Sequence, residues 1–295
     1  MDIKKYLHEK KEAVDSFFHN YFKEQRRPAV LQEAMLYSLF AGGKRIRPIL
    51  AIASFEACGG NPDEIVPYAS TLELIHTYSL IHDDLPSMDN DDLRRGKPTN
   101  HKVYGEAIAI LAGDALLTEA FSIFSDTSFC RTIKQADLLK ALREIANASG
   151  PRGMVAGQVQ DILSENSVPD KDILQFIHMH KTAALICASV KIGHILAGSS
   201  KDNLGAIISY GNNIGLAFQV IDDILDIEGD TEELGKPVGS DERIKKTTYP
   251  LLHGIEKSRE IARQLVSDAV SSLSIFSAEA DPLREIAFYL LNRRN

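Results

Sequence analysis

Two apolar segments of this chain each end in a cluster of aspartates. The first segment reaches Ile81, and the acidic residues that follow it are Asp83, Asp84, Asp89, Asp91 and Asp92. The second segment reads GLAFQVIDDILD and carries Asp222, Asp223 and Asp226. Ionised side chains are costly to bury without a partner, so carboxylates at the end of an apolar run indicate a polyvalent cation held at the rim of an apolar cavity.

The ligand types in the two clusters favour magnesium over other metals. Hard carboxylate oxygens without an accompanying Cys/His set are typical of magnesium, which usually binds through a few carboxylates and the phosphates of a substrate. A calcium-binding EF-hand loop beginning at Asp89 fails on spacing. Its sixth position is Arg94, where glycine is needed, and its twelfth is Asn100 rather than glutamate.

Two groups of cations favour a second kind of ligand, a discrete anion. Gly42-Gly43 ends a helical run and precedes Lys44 and Arg47, whose side chains can converge on phosphate oxygens. The segment is not a Walker phosphate loop, because it lacks the first glycine and the Ser/Thr after the lysine. Alone it would be taken as a surface charge run, but together with the aspartates it predicts an anion site. Arg94 and Arg95 either neutralise the acids or serve two different anions.

Further polar residues fall on the helical faces that lead to these clusters. His76 precedes Asp83 by two helical turns on the same face, where a structural role and a phosphate contact are equally favoured. Lys181 and Thr182 lie in apolar surroundings, which favours ligand contact over a structural ion pair. In the second cluster Asp222 and Asp226 share one helical face, and Gln219 lies one turn before Asp223.

Bulk properties exclude several function classes. With no recognisable linker, the 295 residues are expected to form one domain, 1–295, and the net charge of -8 argues against a general nucleic-acid binder. The first residues lack the apolar centre of a signal peptide, and the longest uncharged stretch, 203–221, is interrupted by polar residues and glycines. No membrane span is therefore expected, and a cytoplasmic location is the default.

Helical periodicity recurs along the whole sequence, and no segment shows sustained strand-like alternation. The sequence therefore predicts an all-α fold, a single-domain bundle of roughly ten helices. The helix that leads to the first cluster is expected to start near Pro67. The segment after the second cluster, GDTEELGKPVGSDERIKKTTYP, is polar and rich in Gly and Pro, and is a candidate lid over 230–250.

These motifs resemble those of a known family. DDLPSMD followed by DDLRRG resembles the first aspartate-rich motif of the trans-isoprenyl diphosphate synthases, and DDILD resembles their second. GGKRIRP, the Lys181-Thr182 pair, the FQ before Asp222 and the KKTTYP segment follow in the family's order across nearly the whole chain. Within the family the chain looks most like bacterial farnesyl diphosphate synthases.

The resemblance implies a fold, a cofactor and a set of roles. The expected architecture is the isoprenoid synthase fold around a central cavity, usually as a homodimer, with three magnesium ions per active site. The implied metal ligands are Asp83, Asp89, Asp222 and Asp226. The implied catalytic residues are Asp83, Asp84, Asp89, Arg94, Lys181, Asp222 and Asp223. Residues expected to hold the allylic diphosphate are Arg94, Lys181, Thr182, Gln219, Lys236 and Lys246, and those expected to hold isopentenyl diphosphate are Lys44, Arg47, His76 and Arg95.

The implied reaction is the condensation of isopentenyl diphosphate with dimethylallyl or geranyl diphosphate to give farnesyl diphosphate. Tyr78 and Ser79 lie just before Asp83, where a growing product would pass, and Tyr78 is expected to stop growth at fifteen carbons; in the alternative it merely packs between helices. A geranylgeranyl diphosphate synthase is the nearest alternative function. A terpene cyclase is disfavoured because it needs no second diphosphate site, and a noncatalytic subunit is disfavoured because no aspartate of the motifs is missing.

Overall fold

The computed structural model of the protein describes residues 1–130, 132–165, 168, 170–228 and 247–293. Of these residues, 77% are helical and almost none lie in strands, which confirms the all-α fold class. Lys236 and Lys246, and most of the candidate lid, lie outside the described residues.

The described helices follow one another along the chain with short connections. They are α1 (Ile3–Tyr21), α2 (Ala29–Leu39), α3 (Ile46–Ala57), α4 (Pro62–Asp83), α5 (Asn100–Tyr104), α6 (Glu106–Ser125), α7 (Gln135–Ser149), α8 (Met154–Ser164), α9 (Lys171–Ile177), a π-helix (His178–Ala183), α10 (Ala184–Leu196), α11 (Leu204–Glu228), α12 (Tyr249–His253), α13 (Ile255–Ser272) and α14 (Asp281–Leu291). Single 3₁₀ turns occupy Lys201–Asn203, Leu273–Ile275 and Ala278–Ala280.

The helices that carry the acidic clusters lie in the interior of the bundle. Helix α4 packs against α3 and α6, while α11 packs against α10 and α13. Helix α3 is buried without interruption from Ile49 to Phe55, as expected of a helix enclosed by others. It joins a core shared by α1, α2, α4, α6 and α7 to a second core shared by α11, α13 and α14. Helices α4 and α11 are therefore connected through the packing of α3 and α10.

A short β-hairpin follows α4, which the sequence did not predict. Strands β1 (Leu93–Arg94) and β2 (Lys97–Pro98) pair antiparallel, with Arg94 opposite Lys97. The turn between them has positive φ at both central residues, 53° at Arg95 and 74° at Gly96. Two-residue turns with positive φ at both central residues match the twist of the strands that they connect. Two-residue strands leave no alternating pattern in a sequence, which is why the hairpin escaped detection.

Helix α4 begins five residues earlier than predicted. Asn61 caps it by accepting a hydrogen bond from the Asp63 N–H, and Pro62 occupies the first turn, where its missing N–H does no harm. Pro67, taken as the start in the sequence, lies inside the helix. The helix tolerates this proline because its neighbours Ile65 and Tyr68 are fully buried in the core. Tertiary packing therefore overrides the local signal.

Three helical stretches are long and apolar enough to cross a membrane, judged by length and composition alone. They are Glu106–Ser125, Lys171–Leu196 and Lys201–Glu228, with 39%, 61% and 44% of their most apolar windows buried inside the protein. The buried part of each stretch packs on neighbouring helices of the bundle. The absence of a membrane span stays a prediction.

Candidate active site

A cavity of about 1050 Å³ connects the two acidic clusters. Its wall is formed by α4, α8, the π-helix, α11, the Gly42–Arg47 segment and the β-hairpin. Most of the residues singled out in the sequence line it: Lys44, Arg47, His76, Tyr78, Ser79, Asp83, Arg94, Arg95, Lys181, Thr182, Gln219, Asp222, Asp223 and Asp226. Residues that are far apart in sequence therefore meet around one space.

Asp84 and Asp89 do not line this cavity. Asp84 is 3% exposed, and its Oδ1 accepts a hydrogen bond from Arg94 Nε at 2.9 Å. Neighbouring helical residues point about 100° apart, so Asp83 and Asp84 cannot share one direction. Asp89 is exposed beyond the end of α4, where its N–H donates to the Asp83 carbonyl at 2.9 Å. Asp84 therefore orients Arg94 instead of facing the cavity.

Burial dominates the electrostatics of the first cluster. It raises the pKa of Asp83 to about 6, with the charge of Lys181 opposing this and Asp89 adding to it. Burial likewise raises the pKa of Asp84 to about 6, against the opposing charge of Arg94. Both carboxylates are therefore ionised at neutral pH at a free-energy cost, which a nearby cation would reduce.

The three cations of the Gly42–Arg47 segment have two different functions. Arg45 takes a left-handed backbone conformation, with φ of 54°, at the start of α3. Its side chain is buried, where Nε lies 2.8 Å from Asp15 Oδ1 and Nη1 lies 2.9 Å from Glu73 Oε1. Lys44 and Arg47, on either side, face the cavity. Arg45 is thus the structural anchor of this segment.

The cations of this wall crowd one another. Burial, together with the charge of Arg293, lowers the pKa of Lys44 to about 8. Burial also lowers the pKa of Arg47 to about 10, with Glu73 opposing and Arg95 adding to the effect. The pKa of His76 is lowered by burial and by the arginines around it, so its imidazole is neutral at pH 7. Such crowding of positive charge favours the binding of a polyanion.

Arg94 and Arg95 point to different partners, as adjacent residues of a hairpin do. The guanidinium of Arg94 contacts Asp84 and Asp91, whereas Nη1 of Arg95 donates to the Gly42 carbonyl. Both side chains also line the cavity. The hairpin therefore directs one arginine to the first acidic cluster and the other to the Gly42–Arg47 segment, which fits the expectation of two anions.

The π-helix brings Lys181 and Thr182 to the cavity. Lys181 Nζ lies 2.7 Å from Asp161 Oδ2 on α8, and Thr182 Oγ1 donates to Gln219 Oε1 at 2.8 Å on α11. Close packing against α8 requires glycine, because a Cβ at Gly157 would lie 2.2 Å from the Lys181 backbone nitrogen. The π-helix thus contacts α8 through Lys181 and α11 through Thr182.

The second acidic cluster is held by a buried network. Asp223 is 2% exposed; it accepts the Tyr249 N–H at 2.9 Å and the Gln219 Nε2–H at 3.0 Å. His178 stacks on the Tyr249 ring at 5.3 Å, and its Nε2 lies 3.6 Å from Asp223 Oδ2. Asp222, one residue before, is much more exposed. Asp223 therefore fixes α11, and Asp222 presents its carboxylate at the cavity.

Arg293 is a cavity residue that sequence reasoning missed. Its guanidinium lies 4.2 Å above the Phe218 ring, contacts Asp222 and is only 6% exposed. Burial lowers its pKa to about 10. The Arg293-Arg294 pair after an apolar helix was the available signal, but a basic chain end usually indicates solvent exposure. The fold brings this end of the chain beside Lys44, 249 residues earlier in sequence.

The chain matches the sequence profile of the family described as polyprenyl synthetase over residues 28–280. It is 48% identical to the farnesyl diphosphate synthase of Geobacillus stearothermophilus over 260 residues, 88% of this chain and 87% of that protein. It is 45% identical to the geranylgeranyl diphosphate synthase of Cyanophora paradoxa over 291 residues, 98% of this chain and 96% of that protein. Among solved structures, the FPP/GFPP synthase from Zymomonas mobilis superposes with a TM-score of 0.88 at 38% identity, covering 98% of this chain and 99% of that one.

Proposed function

This chain belongs to the polyprenyl synthetase family, and on that premise we propose that it condenses isopentenyl diphosphate with dimethylallyl and geranyl diphosphate to give farnesyl diphosphate. One observation carries the proposal: Asp83 of the first acidic cluster lines the same cavity as Asp222, Asp223 and Asp226 of the second, and two separate sets of cations line it as well. A condensation of two diphosphates needs two anion sites beside one reaction space. A terpene cyclase would need one.

The two anion sites differ in their surroundings. Arg94, Lys181, Thr182 and Gln219 adjoin the aspartates and would hold the allylic diphosphate, which departs. Lys44, Arg47, His76 and Arg95 lie around the Gly42–Arg47 segment and would hold isopentenyl diphosphate, which keeps its diphosphate. Arg293 reaches both Asp222 and the neighbourhood of Lys44 and would link the two sites.

The donor set fits magnesium. Asp83 lies on α4, and Asp222 and Asp226 lie on α11, so each helix offers carboxylate oxygens to the same cavity. Among the residues that the structure describes, no group of three or more His, Cys, Asp or Glu could hold a metal by itself. Magnesium commonly takes one or two carboxylates and completes its shell with water and substrate phosphate. Bound there, magnesium ions, three by our proposal, would stabilise negative charge on the departing diphosphate.

The reaction follows from the chemistry of the two substrates. The C–O bond of the allylic diphosphate breaks, and its electron pair leaves with the diphosphate, where Lys181 and Arg94 stabilise the charge. The double bond of isopentenyl diphosphate then attacks the allylic cation to form a C–C bond. The proton lost from the new cation passes to the released diphosphate. Apolar residues of the wall, the buried Ile46 and Met154 among them, would limit the access of water that could otherwise capture the cation.

Tyr78 is the basis for proposing a fifteen-carbon product. It is 7% exposed, lies on the cavity wall five residues before Asp83, and its ring would stop further growth in that direction. Geranylgeranyl diphosphate is the second candidate product. It is supported by relatives at 45–49% identity that are named geranylgeranyl diphosphate or pyrophosphate synthases, one of them as the large subunit of a heterodimer. Product length is what distinguishes the two functions.

The deciding experiment is incubation of the purified protein with isopentenyl diphosphate, dimethylallyl diphosphate and magnesium, followed by measurement of product chain length. Fifteen-carbon product as the main species is expected, and mainly twenty-carbon product would favour the second candidate. Asp83→Ala should abolish condensation, whereas Asp268→Ala, an exposed aspartate of α13, should not. Near-normal turnover by Asp83→Ala would refute the role of the first cluster.

Three broader features complete the proposal. We expect a homodimer, since this is the usual assembly implied by the family resemblance, and sedimentation of the purified protein tests it. We expect residues 1–295 to fold as one domain, and a single cooperative unfolding transition would support this. A cytoplasmic location follows from soluble diphosphate substrates and is tested by fractionation of cells that express the protein.

A further inference from the structure

His82 stands beside Tyr78 on the cavity wall and has no role in the scheme above. The two residues lie one turn apart on α4, and their rings meet edge to face with centroids 5.7 Å apart and an interplanar angle of 78°. His82 itself lines the cavity, and its side chain is 27% exposed. Any movement of the imidazole would therefore change both the cavity and the support of the Tyr78 ring.

The imidazole of His82 is hydrogen-bonded to helix α6. His82 Nε2 lies 3.0 Å from the Ile110 carbonyl oxygen. A carbonyl only accepts, so Nε2 carries the proton in this contact and donates it. The same nitrogen lies 3.9 Å from Asp114 Oδ1, one further turn along α6. The ring is thus fixed in orientation by groups on a helix that does not contribute to the cavity.

Gly113 creates the space that the ring occupies. A Cβ at this position would lie 2.2 Å from His82 Nε2 and 2.5 Å from Cδ2, closer than real Cβ contacts allow. Gly113 is buried and is not part of the cavity wall, whereas His82 is. The imidazole therefore lies between Gly113 and the cavity. Any side chain at residue 113 would displace the ring, and the cavity that His82 lines offers space for it.

We propose that His82, seated against Gly113 and hydrogen-bonded to Ile110, is a second product-length residue that braces Tyr78 and closes part of the cavity wall. The proposal rests on the proposed prenyl-chain elongation at this site. Product length would then be set by two rings on α4 and by the absence of a side chain on α6. Tyr78 alone would be an incomplete stop, because its ring needs the imidazole edge to keep its orientation.

Substitutions at His82 and Gly113 should shift product length in opposite directions. His82→Ala removes one ring from the wall and the support of the other, so the ratio of twenty- to fifteen-carbon product should rise about fivefold, which corresponds to ~1 kcal/mol. His82→Gln retains an N–H donor for the Ile110 carbonyl but loses the ring that supports Tyr78, so its ratio should shift in the same direction as that of His82→Ala. Gly113→Ala pushes the ring towards the cavity and should raise the ratio of ten- to fifteen-carbon product.

Gly211→Ala is the matched control for Gly113→Ala. A Cβ at Gly211 would lie 2.8 Å from the Cys187 Cα, a comparable clash inside the helical bundle but away from the cavity wall. It should reduce stability without changing product ratios. A shift as large in Gly211→Ala as in Gly113→Ala would overturn the proposal, because general loosening would then explain both.

Unchanged product ratios in His82→Ala and Gly113→Ala would also overturn it. Should both variants lack turnover, a crystal structure of Gly113→Ala decides: a displaced imidazole with a moved Tyr78 ring supports the brace, and an unmoved Tyr78 ring refutes it. Failure of the proposed function is a separate result, since the wild-type protein would then form no prenyl product while the crystallographic comparison could still be made.

Discussion

Glu73→Gln tests whether the buried charges beneath the cavity hold the Gly42–Arg47 segment in place. The side chains of Arg45 and Glu73 are each 2% exposed and pair at 2.9 Å, and Asp15 supplies the second carboxylate of Arg45 at 2.8 Å. Arg45 also donates to the Leu39 carbonyl at 2.7 Å. The substitution keeps the shape of residue 73 and removes only its charge.

The expected loss in the free energy of unfolding depends on which partners Arg45 retains in Glu73→Gln. Removing one partner of a buried ion pair costs about 3–5 kcal/mol. Glutamine still offers an oxygen to Nη1, and Asp15 keeps its charge, so we expect a loss of ~2–3 kcal/mol in the free energy of unfolding. At about 2 °C per kcal/mol for a chain of this size, Tm should fall by ~5 °C.

Urea and thermal unfolding followed by circular dichroism measure this loss. The matched control is Glu260→Gln, which removes a carboxylate from an exposed pair with Lys257 and should leave stability unchanged. A loss below ~1 kcal/mol in Glu73→Gln would refute the reasoning, since it would mean that Arg45 does not depend on Glu73. The KM for isopentenyl diphosphate should rise in Glu73→Gln and not in Glu260→Gln, because Lys44 and Arg47 belong to the segment that Arg45 anchors.

Three further outcomes are expected. Asp161→Asn removes the carboxylate that holds Lys181 at 2.7 Å, so single-turnover kinetics should show the rate of condensation falling about tenfold, as expected for the loss of ~1.5 kcal/mol from a charge-assisted hydrogen bond. The pKa of Lys44 is lowered to about 8, so its side chain is a cation below that pH and neutral above it. The value of kcat/KM for isopentenyl diphosphate should therefore fall as the pH rises through about 8. Lys44→Met should abolish this fall in the pH profile. Tyr78→Ala should lengthen the products measured by chromatography, and an unchanged profile would remove Tyr78 as the stop.

Most of the helical fold could be predicted from the sequence because its signals are local. Helical periodicity identified the helices, and glycine pairs such as Gly42-Gly43 marked their ends. The signals failed where packing decided the outcome, as at Pro67, which stays inside α4 because Ile65 and Tyr68 anchor the helix on both sides. The hairpin at Leu93–Pro98 failed for another reason, since two residues per strand are too few for a pattern.

The candidate site was predictable where residue type and helical face suffice. Asp83 and His76 share a face of α4, and both reach the cavity. Asp84 illustrates the limit: the sequence shows an aspartate, but only the fold shows that it turns away from the cavity and onto Arg94. Arg293 illustrates another limit of prediction from the sequence, because its position depends on how α14 packs against the rest of the bundle. Contacts between distant segments leave no mark in a single sequence.

The π-helix at His178–Ala183 requires a fixed number of residues at this point of the chain. A π-turn accommodates one residue more than an α-turn does, so every side chain after it is rotated by about 100° relative to an uninterrupted α-helix. Deleting one residue here would restore regular geometry and turn either Lys181 or the apolar face of α10 to the wrong side. Homologous genes should therefore accept many substitutions in this stretch but almost no insertions or deletions, a pattern usually associated with loops of fixed span.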